Sequence, residues 1–172
     1  MTLPYRLFVA NTAGACLLIW CYWLGYIARV TEGDIAHMAE IMAGLFLIGL
    51  ISTFRIAFKV EAIRDRADYT ANGRLKSIRA LMIKSKHLIV FSSTLFILSI
   101  IGNAIGIKAM FHGIDPSVLA SPDVGAKLGL QVMGGASMTF GSTIIGASLH
   151  IWTILNAMML YTEMSLLELE AM

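Results

Sequence analysis

Apolar residues gather in four long runs, at about residues 7–27, 36–58, 88–109 and 132–161. Each is long enough to cross a hydrocarbon core, which takes roughly 20 helical residues. The pattern therefore predicts an all-α, polytopic membrane protein with four transmembrane helices, built as a single integral-membrane domain over residues 1–172. The first run is long, rich in Trp and Tyr and without a small-residue cleavage site, so it reads as a span rather than a signal peptide. Trp20, Tyr22, Trp23 and Tyr26 crowd its C-terminal half, where aromatic anchors at a membrane–water boundary are expected.

The segments between the runs set an orientation. Eight Lys and Arg residues fall between Lys59 and Lys86, whereas the connections on the other side carry Arg29 and Lys127 only. Positive charge marks the cytoplasmic side, so the middle segment is expected inside and, with four spans, both termini as well. Within that segment 60–68 and 74–85 read as charged helix, with Thr70-Ala-Asn-Gly73 as the breaker, where Asn72 and Gly73 tolerate positive φ. The second and third spans are thus expected to continue as a short cytoplasmic helical hairpin over about 59–87. On the outer side, about 110–131 reads as an external connection that ends in an interfacial helix over 124–131.

Composition narrows the class. Of 172 residues, 58% are hydrophobic and 14% charged, against about 25% charged in an ordinary soluble domain. That balance excludes a soluble enzyme, a disordered chain and a disulfide scaffold. A net charge of +2 gives no reason to expect nucleic acid. Cys16 and Cys21 point to different faces of one helix, so no disulfide between them is expected. No cofactor or metal-ligand spacing and no nucleophile–base constellation is visible, so the chain does not read as an enzyme. The eleven methionines are adaptable apolar filler.

The scarce polar residues of the spans are not scattered. The first two spans look bland and lipid-facing, but on the fourth Thr139, Thr143, Gly146, His150 and Thr153 recur at steps of 4, 3, 4 and 3. They share one stripe of a helix, with Ser142 on its flank. The third span carries a weaker stripe of Ser85, Ser92, Ser99, Asn103 and Gly106. Polar groups in lipid must be satisfied, so both stripes should face protein or water. Small and hydroxyl residues also make tight transmembrane contacts, and Gly102 and Gly106 form a GxxxG pair. Spacing alone leaves a polar pathway and plain helix packing both open. A lone His150 is more often a hydrogen-bonded contact than a proton relay. Glu163, Glu168 and Glu170 read as a solvated amphipathic tail. No span is read as carrying Asp or Glu in its membrane part, so an ion pathway would need a carboxylate from another chain.

Two segments bear a resemblance. Leu98-Ser-Ile-Ile-Gly-Asn-Ala-Ile-Gly106, followed by Ile107-Lys-Ala-Met-Phe111, resembles the LGLLGTVxG segment of the MotA/TolQ/ExbB proton-channel family. Thr139-Phe-Gly-Ser-Thr-Ile-Ile-Gly146 is similar to that family's ALxTTxxG segment, with Ser142 and Thr143 at the paired-threonine positions. The resemblance implies a proton or sodium channel subunit of the bacterial cytoplasmic membrane. It implies a homopentamer around two copies of a single-span partner that carries the essential membrane aspartate. Thr139, Ser142, Thr143, His150, Thr153, Asn103 and Ser99 would line the ion pathway, and Gly102, Gly106 and Gly146 would pack helices. A cytoplasmic part of only 28 residues, 59–86, implies a reduced member whose output passes through the partner. The contrasting expectation is a non-conducting membrane scaffold in which the same residues only pack helices.

Overall fold

A computed structural model describes residues 2–31, 34, 37–66, 70–112 and 123–172. The described residues are almost all helical and contain no strand. In chain order the helices are α1 (Leu3–Trp23), α2 (Tyr26–Thr31), α3 (Met38–Arg64), α4 (Ala71–Ser85), α5 (His87–Phe111) and α6 (Val124–Glu170). Four stretches are long and apolar enough to cross a membrane: Leu3–Trp23, Met38–Arg64, Ala71–Phe111 and Val124–Glu170.

Helix ends follow local chemistry. Pro4 sits in the first turn of α1, where a missing backbone N–H costs nothing. The run expected as one helix over 7–27 instead stops at Trp23. Gly25 adopts φ +73°, a left-handed conformation that closes a helix at little cost in glycine, and α2 restarts at Tyr26. At the head of α3 the Asp34 carboxylate accepts from the backbone N–H groups of Met38 (3.1 Å) and Ala39 (2.7 Å), satisfying two of the orphan donors. The expected breaker at Thr70–Gly73 is instead the start of a helix. Thr70 is the N-cap of α4, its hydroxyl accepting from Gly73 N–H, so Asn72 and Gly73 belong to the first helical turn. Residues 67–69, just upstream, lie outside the described residues. Lys86, between α4 and α5, keeps helical angles, so the two run on with little interruption.

The separate interfacial helix expected over 124–131 is not there. α6 runs unbroken from Val124 to Glu170, and its 47 residues span about 70 Å. The rest of the expected external connection, 113–122, lies outside the described residues.

α6 is the column against which the other elements pack. Its most extensive contact is with antiparallel α5. One apolar cluster joins Leu3 and Leu7 of α1 to Ile56, Ala57 and Val60 of α3, Ile78 and Leu81 of α4, and Leu160, Met164 and Leu167 of α6. A second joins Met38, Met42 and Phe46 of α3 to Leu95 and Leu149, with the Trp152 ring 5.0 Å from that of Phe46. The outward faces carry bulky apolar side chains, among them Leu17, Ile19, Phe58, Phe140 and Ile151. All four aromatics at the C-terminal end of the first run also point outward, Trp23 being 86% exposed.

The tail expected to be solvated is packed. Ala157, Leu160, Met164 and Leu167 form a buried stripe at helical spacing, and that packing carries Glu163 inside with it. Glu163 is 6% exposed and accepts from Arg6 (2.9 Å) and from Arg64. Glu168 accepts from Arg79 at 2.7 Å. Only Glu170 is exposed as expected.

Candidate functional site

The two polar stripes meet each other along the α5–α6 contact. A methyl group at Gly102 would overlap Ser142, one at Gly106 would overlap Thr139 and the Gly135 carbonyl, and one at Gly146 would overlap Ser99. Small residues on both helices therefore let the two backbones approach closely. Ser99, Ser142 and Thr153 are buried inside the chain. Ser99 donates to the Phe96 carbonyl (2.7 Å) and Thr153 to the Leu149 carbonyl (2.8 Å), bonds that serve their own helices.

At the edge of this contact the polarity turns outward. Thr143 is exposed, and Asn103 and Thr139 are partly so. The Asn103 amide oxygen accepts from Thr143 Oγ1 at 2.6 Å and from Ser142 Oγ at 3.1 Å. With its oxygen used in this way, Asn103 keeps its Nδ2 donors over, and the residue is partly exposed. Among the described residues nothing accepts from them. Thr139 Oγ1 donates to the Gly135 carbonyl at 3.0 Å.

His150 lies about two turns beyond Thr143 along α6. Its Nδ1 is 2.9 Å from the Ser92 carbonyl and 2.8 Å from Ser92 Oγ, while Ser92 Oγ lies 3.3 Å from the His150 carbonyl. The arrangement closes if Nδ1–H donates to Ser92 and the serine hydroxyl donates to the His150 carbonyl. That tautomer leaves Nε2 as an acceptor at a half-buried surface, beside the Phe96 ring at 5.4 Å.

Compared with family models, with curated proteins and with solved structures, the chain matches none.

Sequence reading missed two further polar groups. The first span is not bland, because Asn11 is buried against α6. Asn11 Nδ2 donates to Asn156 Oδ1 (2.8 Å), Asn156 Nδ2 donates back to Asn11 Oδ1 (3.0 Å), and Trp152 Nε1 donates to the same oxygen (2.8 Å). Gly14, one turn on, lies against the Trp152 ring with no room for a side chain. Two lone amides inside apolar runs are the signal that could have raised this pair. The second group is the Arg6–Glu163–Arg64 cluster, which Glu61 extends by accepting from Arg64 at 3.4 Å.

The expected absence of carboxylates also needs one correction. Glu40 lies within the limits 36–58, although it sits in the first turn of α3, exposed and paired with His37. The rest of that run has no acidic residue. No group of three or more His, Cys, Asp or Glu side chains able to hold a metal lies together among the described residues.

Proposed function

We propose that this chain is the multi-span subunit of an ion-conducting complex in the bacterial cytoplasmic membrane, moving H+ or Na+. In this reading it assembles as a homopentamer around a single-span partner, itself a dimer, that supplies the membrane aspartate. Both termini and a short α3–α4 hairpin lie in the cytoplasm.

The observation that supports it best is the outward pair Asn103 and Thr143. Asn103 lies six residues inside the outer limit of its run, about 9 Å of helix, and its Nδ2 donors meet no acceptor among the described residues. Hydrocarbon cannot satisfy those donors, whereas an aspartate or an ion-bearing water of a neighbouring chain can. Moving one charge across 100 mV releases about 2.3 kcal/mol, enough to bias a small repacking of such a contact. Thr143 and Asn103 then solvate the partner's carboxylate, with Thr139 and His150 next along the same helix. Ser99, Ser142 and Thr153 stand behind them.

A second reading has its own support. The buried hydroxyls and the glycines set against them are what plain packing of a scaffold needs. Thr143→Val separates the two, since it keeps the side chain's shape and removes its donor. In proteoliposomes holding the purified complex, the channel reading predicts loss of ion flux with assembly unchanged. Normal flux would sink the lining role, and a broken oligomer with no flux phenotype of its own would favour the scaffold.

A further inference from the structure

The apolar helices carry one acid–base group at depth. Between Lys127 and Glu163, α6 has no Asp, Glu, Lys, Arg or His except His150. α1 has none after Arg6, α3 none between Glu40 and Arg55, and α5 none between His87 and Lys108. His150 stands 13 residues from Glu163 and 23 from Lys127, about 20 and 35 Å of helix. An ionisable group at such depth is costly in lipid and points to a function.

Its contacts use only half of the ring. Nδ1 meets Ser92, and among the described residues nothing donates to Nε2. The helix packed against it, α5, brings the Phe96 ring to 5.4 Å and no charged group. A contact that needs one nitrogen is met as well by an amide, which leaves no base behind. His150 lies seven residues from Thr143 on α6, and Phe96 seven residues from Asn103 on antiparallel α5. Seven residues bring a helix back to within about 20°, so His150 and Phe96 continue the Asn103–Thr143 side of the pair, about 10 Å nearer the basic end. One imidazole nitrogen beside a phenyl ring is no cage of oxygens for Na+, but it can take a proton.

We infer that His150 is a proton acceptor on the pathway proposed above, one step beyond the Asn103–Thr143 edge. The inference rests on that reading and selects H+ within it. The O–H bond of the partner's carboxylic acid breaks and leaves a carboxylate, while an N–H bond forms at Nε2 and makes an imidazolium. A file of about three hydrogen-bonded waters bridges the distance by passing one proton along. The imidazolium then gives its Nε2 proton to water on the basic side and returns to the neutral ring, Nδ1–H staying on Ser92. No electron changes hands.

Proteoliposomes that hold the purified complex and an internal pH dye test the relay. His150→Gln keeps a hydrogen-bonding group beside Ser92 but takes no proton, so H+ flux should fall about tenfold or more with the oligomer intact. His87→Gln, the same change at a half-buried histidine outside this edge, should leave flux unchanged. His150→Ala should be as slow as His150→Gln, and added imidazole should restore part of its flux. Thiazole, a ring of the same shape and a far weaker base, should not. That comparison separates a base from a filler even where Gln alters packing. Normal flux in His150→Gln, equal loss in His87→Gln, equal rescue by thiazole, or a wild-type complex that carries Na+ but not H+ would each overturn the relay. A wild-type complex that moves neither ion would overturn the channel reading itself, a separate outcome from a conducting complex indifferent to His150.

Discussion

At the scale of single residues, the polar groups inside the apolar helices divide into those satisfied within the chain and those turned outward. Asn11 and Asn156 belong to the first kind, each donating to and accepting from the other with Trp152 as a further donor. Replacing Asn11 by Leu leaves Asn156 and the Trp152 N–H unsatisfied, so a loss of about 1–2 kcal/mol is expected. Asn11→Leu/Asn156→Leu should cost less than the sum of the two single changes, because both amides of the pair are then gone. Thermal unfolding of the four members of that cycle in detergent checks this, and strict additivity would show the two amides to be uncoupled. The sequence makes such residues visible as anomalies but not as partners. Asn11 and Asn156 are 145 positions apart, and nothing local in either run indicates the other. Glu163 was misread for a related reason. Its charge suggests water, while the stripe of Ala157, Leu160, Met164 and Leu167 around it decides for burial, and Arg6 and Arg64 arrive from two other helices.

At the scale of elements, the apolar runs were legible because span length and hydrophobicity are properties of contiguous residues. The ends were less so. Gly25 breaks the first run through its backbone angle, and Thr70 caps α4 where the residues after it looked like a turn. The close contact of α5 with α6 was legible as small-residue spacing, but spacing alone left open whether the stripes faced each other or a pathway. In the structure they do the first along most of their length and turn outward at Asn103 and Thr143. The packing makes a contrast that stability can read. Gly106→Ala puts a methyl against the backbone of Gly135 and Thr139, which cannot move without separating the helices. It should destabilise the chain by about 1–3 kcal/mol. Gly44→Ala, which meets nothing within 4 Å, should be neutral or slightly stabilising. Equal melting temperatures for the two variants would show that α5 and α6 are not held as closely as described.

At the scale of the whole molecule, polar groups such as Asn11, Ser99, Ser142, Asn156 and Glu163 are buried between helices while the outward faces are apolar. Bulky apolar side chains cover the outward faces of α1, α3, α5 and α6, and α6 alone is about twice as long as a hydrocarbon core is thick. Basic residues gather at one end, on α4 and the adjoining turns of α3, where Arg64 and Arg79 pair with glutamates of α6. We read this as a subunit of a larger assembly, in which the Asn103–Thr143 edge meets an acceptor that none of the described residues provides. The most direct test of that claim is native mass spectrometry of the complex released from its own membrane in a gentle detergent. Five copies of this chain are expected with two copies of a small single-span protein that carries one aspartate in its membrane segment. A monomer or dimer with no such companion would contradict it.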